Sequence, residues 1–118
     1  MEYKFKYRFS FIDRQNESLK IMSQYPDRIP IICERSDLTS DDCPFIDKKK
    51  YLVPRVLNVA QFIHVIRKRM KISEEKALYL FIKGNIPSSS LMIETLYNYY
   101  RDDDGFLYVL YSFENTFG

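Results

Sequence analysis

The sequence predicts a single α+β domain, and three observations carry that expectation. At 118 residues the chain fits one domain and is long enough to bury about two-thirds of its unfolded surface in one core. One strongly amphipathic helix pattern lies mid-chain, with strand-like apolar runs before and after it. Two of those runs, 28–34 and 105–113, are apolar on both faces, which is the pattern of strands in the middle of a covered sheet.

The elements follow in order. Over residues 10–25 Ser10 is placed to cap a helix and Asp13 to answer it. Pro26 then removes a donor and turns Tyr25 away from helical geometry, so the helix ends there. In "RIPIICE", 28–34, Ile29, Ile31 and Cys33 point one way and Pro30 and Ile32 the other, so a second layer must cover the second face. Residues 36–47 read as a polar loop. "KKKYLVP", 48–54, is a short strand on which Lys48, Lys50 and Leu52 share one face and Lys49, Tyr51 and Val53 the other.

Asn58 and Gln61 form a capping-box pattern, and Val59, Phe62, Ile63, Ile66 and Met70 fall on one face of the helix that follows. "KALYLFIKGNIP", 76–87, reads as a buried strand broken at Gly84-Asn85. Residues 90–100 form a shorter helix with Leu91, Met92, Ile93 and Leu96 as its apolar positions. "GFLYVLYSF", 105–113, is the last strand. This helix, strand, strand, helix, strand, short helix, strand order contains the ββαββ arrangement of ubiquitin-like folds, an order that other α+β folds share.

Composition narrows the function. Eighteen Lys and Arg against sixteen Asp and Glu give a net charge of +2, too small to argue for nucleic acid or an acidic membrane. No signal-peptide core follows Met1 and no apolar run reaches the roughly 20 residues of a membrane span, so the expected compartment is the cytosol. There the two cysteines stay thiols, Cys33 in the core and Cys43 in a loop. A Cys–His nucleophile pair would have to use His64, the single histidine, which needs no role beyond an ordinary helix-face position. Asp102, Asp103 and Asp104 read as a solvated acidic turn rather than a metal site. No glycine-rich phosphate loop and no paired-carboxylate motif is present. The sequence therefore assigns no catalytic residue, no metal and no cofactor. The lysine run 48–50 and the basic cluster 67–71 lack any nucleic-acid-binding pattern around them.

Peptide binding has more support in the residues. Lysines at the start of strand 48–54 protect an exposed sheet edge, and its apolar side chains could form pockets for an extended guest strand. An ordinary edge strand covered by the N-terminal helix accounts for the same pattern, and both readings stay open.

The segments "KIMSQYPDRIPIICER", "DKKKYLVP", "NVAQFIHVIRKR" and "DDDGFLYVLYSFENTFG" together resemble the autophagy ubiquitin-like modifier family, of the GABARAP and microtubule-associated light chain 3 type, from about Phe11 to Gly118. The resemblance implies a ubiquitin-like β-grasp core, 28–113, with two additional N-terminal helices within 1–27 and a conjugation tail, 114–118. It implies a protein that is not an enzyme. Its Gly118 carboxylate would be adenylated by an activating enzyme, which is where ATP binds, then carried as a thioester to a conjugating enzyme and joined to phosphatidylethanolamine. A glycine suits this task because the tail can then thread narrow channels, and two acyl chains anchor stably where one is marginal.

The resemblance further implies capture of cargo receptors bearing aromatic-x-x-aliphatic motifs by strand addition. Glu17, Ile21, Pro30, Ile32, Lys50, Leu52 and Phe106 would line the pocket for the aromatic residue. Tyr51, Val53, Pro54, Leu57, Phe62 and Val65 would line that for the aliphatic one. Arg28, Lys48, Lys49 and Arg69 would meet acidic flanks. Many members extend past the glycine and are trimmed by a cysteine protease, which in this family also delipidates. The expected locations are cytoplasm and, once lipidated, autophagosome and other vesicle membranes. The expected state in solution is a monomer.

Overall fold

The computed structural model describes residues 3–115. Its elements are α1 (Lys4–Arg8), α2 (Phe11–Gln24), β1 (Arg28–Arg35), β2 (Lys50–Pro54), α3 (Val59–Met70), β3 (Tyr79–Phe81), α4 (Ile93–Tyr100) and β4 (Leu107–Ser112). The four strands form one sheet in the order β2-β1-β4-β3. β1 and β4 pair in parallel at its centre, and the flanking pairs are antiparallel. This is the α+β arrangement expected from the sequence, with β2 at one edge.

The central strands are apolar on both faces because each face meets its own layer. Ile29, Ile31 and Cys33 of β1 join Leu107, Val109 and Tyr111 of β4 beneath α3, in a cluster that includes Val59, Phe62, Ile66 and Met70. On the opposite face Ile32 and Tyr108 join Phe106 and Phe5, with Tyr3 and Ile21 packed around them. Fully burying side chains of this size contributes about 1.5–3 kcal/mol each, so the large cluster under α3 dominates stability. Pro30 is tolerated inside β1 because pairing with β4 begins only at Ile31. Its missing N–H therefore leaves no ladder bond unmade.

α3 starts where the sequence places it. The Asn58 side chain accepts from Gln61 N–H at 2.9 Å, and Gln61 Oε1 accepts from Asn58 N–H at 2.8 Å. The helix ends at Lys71 in the left-handed region, φ 56°, with Arg67, Lys68 and Arg69 in the last turn, where cations complement the helix dipole. In α2 the Ser10 hydroxyl accepts from Asp13 N–H at 3.1 Å.

Several expectations are corrected. β2 begins at Lys50, so Lys48 and Lys49 precede the strand. β3 is three residues long, because Lys83 (φ 49°) and Gly84 (φ 79°) turn the chain immediately after Ile82. α4 begins at Ile93, which leaves Leu91 and Met92 exposed, while Tyr97 joins Ile93 and Leu96 in the core. Cys43 lies in the 36–47 loop as expected but is buried. The loop folds inward there because Arg35 donates to the Cys43 and Ser40 carbonyls and the Tyr111 hydroxyl donates to Pro44 O.

The turn 102–104 is solvated only in part: Asp103 is exposed and Asp102 half-buried, as an acidic turn should be, but Asp104 is not. Asp104 has no exposed surface, since Arg14 Nη1 and the Tyr108 hydroxyl each donate to its carboxylate at 2.5 Å and Phe106 N–H donates at 2.9 Å. Burial, together with the Asp104 carboxylate, pushes the Tyr108 hydroxyl far above its ordinary pKa.

Candidate functional site

The edge strand β2 defines the site. Cys33 N–H donates to Lys49 O at 2.8 Å, and the register sets Ile31 against Tyr51 and Ile29 against Val53. In an antiparallel ladder these odd positions turn their backbone groups toward β1, so Lys50 and Leu52 turn theirs outward. Among the described residues no strand pairs with that side. The outward Leu52 carbonyl is already engaged, because Arg28 Nη1 donates to it at 3.0 Å. An incoming extended segment would therefore exchange hydrogen bonds with Lys50 and Leu52 and displace or re-aim Arg28.

One end of the edge carries the residues expected around an aromatic guest. The register places Pro30 opposite Leu52 and Ile32 opposite Lys50, so all four side chains share the face that α2 covers. From α2, Glu17 forms an ion pair with Lys50, and Ile21 packs on Ile32, Phe106 and Tyr108. Ile32 and Phe106 are 0% exposed, whereas Ile21, Leu52, Glu17 and Lys50 are half-buried. The arrangement is an apolar floor closed at the surface by one ion pair. Burial lowers the Lys50 ammonium from its ordinary pKa, so this lysine pays in lost hydration for its place there.

The other end lies between β2 and α3. Tyr51 and Phe62 meet edge to face with centroids 5.7 Å apart. Tyr51, Val53 and Phe62 are buried in the main core, and Leu57 packs against it. Pro54 is half-buried and Val65 exposed. Tyr51, Val53 and Phe62 thus form a base, and Pro54, Leu57 and Val65 are the groups that reach solvent. The Tyr51 hydroxyl is buried without a hydrogen-bond partner among the described residues.

The expected basic contacts are partly committed within the chain. Arg69 Nε donates to Asp47 at 3.0 Å, and Arg28 holds Leu52 O. Lys48 is exposed with its ammonium 5.1 Å from the Tyr51 ring centroid, and Lys49 is half-buried. Gly118 lies outside the described residues.

Sequence reasoning missed Phe5. Its ring is buried against Phe106 at 5.4 Å, edge to face, and the Lys50 ammonium lies 5.8 Å from its centroid, so α1 adds a wall to the first cluster. What holds α1 there is remote in sequence. The buried Glu34 carboxylate accepts from Lys4 and Phe5 N–H, both at 2.9 Å, and Lys6 pairs with Asp102 at 2.5 Å. The aromatic content of the first nine residues was the one available signal.

Residues 13–118 match the family model described as "Autophagy protein Atg8 ubiquitin like". The chain is 52% identical over 114 residues to autophagy-related protein 8 of Mycosarcoma maydis, covering 97% of this chain and 95% of the relative. The crystal structure of Trypanosoma brucei ATG8 superposes with a TM-score of 0.90 at 38% identity, with 95% of each chain covered. Plasmodium falciparum Atg8, solved in complex with a Plasmodium falciparum Atg3 peptide, gives 0.85 at 34% identity over 96% of this chain and 98% of that one. With the β-grasp order, the two N-terminal helices and the open β2 edge already in place, the chain belongs to the Atg8 family of autophagy ubiquitin-like proteins.

Proposed function

We propose that this protein is a non-enzymatic modifier, conjugated through the Gly118 carboxylate to phosphatidylethanolamine, that gathers cargo receptors with aromatic-x-x-aliphatic motifs onto the forming autophagosome membrane. The observation that carries the capture half is the β2 edge, where the outward backbone groups of Lys50 and Leu52 run between an apolar cluster under Ile21 and a second one over Phe62. Strand addition draws affinity from such main-chain bonds and specificity from flanking pockets. The aromatic residue of the guest parts the Glu17–Lys50 pair and rests on the floor of Ile32 and Phe106, while the aliphatic residue seats among Pro54, Leu57 and Val65. Arg28, Lys48, Lys49 and Arg69 favour acidic flanks.

Family membership supports the conjugation half. The activating enzyme uses ATP, and the Gly118 carboxylate oxygen displaces pyrophosphate to give an acyl-adenylate. An enzyme thiol then displaces AMP, and the phosphatidylethanolamine amine finally displaces the thiol. The Plasmodium relative bound to an Atg3 peptide supports a partnership with conjugating machinery. A cysteine protease that acts on this tail is the remaining partner.

A soluble adaptor of the same fold, never conjugated and acting on trafficking or cytoskeletal proteins, would use the same edge. Microscopy of a Gly118→Ala variant separates the two readings. The modifier loses its vesicle-bound fraction, and an unchanged distribution overturns the conjugation half. Leu52→Ala abolishes receptor capture under both.

A further inference from the structure

β4 does not release the chain where its pairing ends. Phe113, one residue beyond the strand, is buried, and its N–H donates to the buried Thr39 hydroxyl at 2.8 Å. The Lys76 ammonium lies 4.7 Å from the Phe113 ring centroid and is itself held by Asp42 at 3.0 Å. Asp42 in turn accepts from the Ser40 hydroxyl at 2.6 Å. Two loops therefore grip one residue: 36–47 supplies Thr39 and Asp42, and the segment between α3 and β3 supplies Lys76. Next, Ser112, which has no exposed surface, holds Glu114 at both backbone groups. Its Oγ accepts from Glu114 N–H at 3.0 Å and donates to Glu114 O at 2.9 Å.

We propose that Phe113, gripped by Thr39 and Lys76, is a positioning residue that fixes the root of the tail at Glu114, four residues before the Gly118 carboxylate that the activating enzyme takes. The inference rests on the conjugation reading above. The physical reason is pre-organisation: every residue immobilised before binding is one whose conformational entropy is not lost on binding. A fixed root also confines the carboxylate to within about 14 Å of Glu114, at roughly 3.5 Å per extended residue. Without the grip, Phe113 and Glu114 are no longer held in place, and these two residues must be ordered in each productive encounter.

The test is ATP–pyrophosphate exchange by the cognate activating enzyme, with the full-length chain as the varied substrate. Phe113→Gly removes the ring. Thr39→Val removes the acceptor at nearly constant volume, and Thr39→Ser restores it. The expected result is a KM raised about tenfold for Phe113→Gly and several-fold for Thr39→Val, with kcat little changed and Thr39→Ser close to the parent. Affinity for an aromatic-x-x-aliphatic peptide, read on the same samples, stays at the parent value because the grip lies off β2. A KM unchanged or lowered in both variants overturns the proposal. So does a joint fall of kcat and peptide affinity, which marks a merely structural role. No exchange with the parent chain, from an enzyme active on its own modifier, overturns the conjugation reading and the tail grip with it.

Discussion

Asp104→Asn should be the most damaging near-isosteric change on the sheet face that α2 covers. The carboxylate is fully buried and takes three hydrogen bonds, from Arg14, the Tyr108 hydroxyl and Phe106 N–H. An amide keeps one acceptor oxygen but leaves Arg14, whose side chain is 11% exposed, without a counter-charge. Breaking a buried pair from one side costs about 3–5 kcal/mol, and the residual exposure of Arg14 puts this case near 3. With an unfolding entropy of roughly 2.1 cal/mol/K per residue over 118 residues, that loss lowers Tm by about 12 °C. Thermal and urea unfolding followed by circular dichroism measure it. The double variant Arg14→Met, Asp104→Asn, which removes both charges, should recover part of the loss. A drop under about 1 kcal/mol, or strict additivity of the two changes, would refute the view that this pair pins α2 to the start of β4.

Other expectations concern single atoms. Gly105 sits at φ +92°, and a Cβ there would run into the Ser18 hydroxyl. Gly105→Ala should therefore cost about 2–3 kcal/mol in urea unfolding, and a neutral effect would contradict the packing. Tyr51→Phe deletes a buried hydroxyl with no partner among the described residues, so it should raise stability by about 1 kcal/mol. A loss would show that the hydroxyl is satisfied. For Asp102, burial works to raise the carboxyl, but the Lys6 hydrogen bond, the Asp104 N–H and the charges of Lys6 and Arg14 outweigh it and hold the group below its ordinary 3.8. A depressed folded value contributes stability that is complete above the ordinary pKa and lost as pH falls through the folded one. Protection of the α1 amides, taken against the intrinsic exchange rate at each pH, should therefore fall selectively in acid below about pH 4, and Asp102→Asn should reproduce that loss at neutral pH. An α1 whose exchange follows the global unfolding of the domain at every pH would count against this.

What the sequence made legible was local. The start of α3 could be read to the residue because its cap is a three-residue exchange between Asn58 and Gln61, and its length followed from a buried face that keeps helical spacing to Met70. β1 and β4 were legible because both faces are apolar. α1 was not, since a five-residue helix has little intrinsic stability and its N-terminus is closed by Glu34, 29 and 30 residues away from the amides it accepts. Asp104 looked like surface because the arginine that makes its burial tolerable stands 90 residues earlier.

At the site, the lysine run marked β2 as an edge, and alternation placed Lys50 with Leu52 and Tyr51 with Val53. The grouping of these with Glu17, Ile21 and Phe106 came from family resemblance, because three separate elements contribute them. The structure brings the first group together around a closed floor and sets Tyr51, Val53 and Phe62 deeper in the core than a pocket lining alone requires. It also adds Phe5, for which no pairing signal exists in the sequence.

The central claim is that this domain is a modifier whose function ends on Gly118. The direct measurement is reconstitution of the full chain with active cognate activating and conjugating enzymes, ATP and vesicles containing phosphatidylethanolamine, read by intact mass. The account predicts a membrane-bound product heavier by one phosphatidylethanolamine less one water, formed by the parent chain and not when Gly118 is deleted. An enzyme set that conjugates its own modifier yet leaves this chain at its starting mass would contradict it.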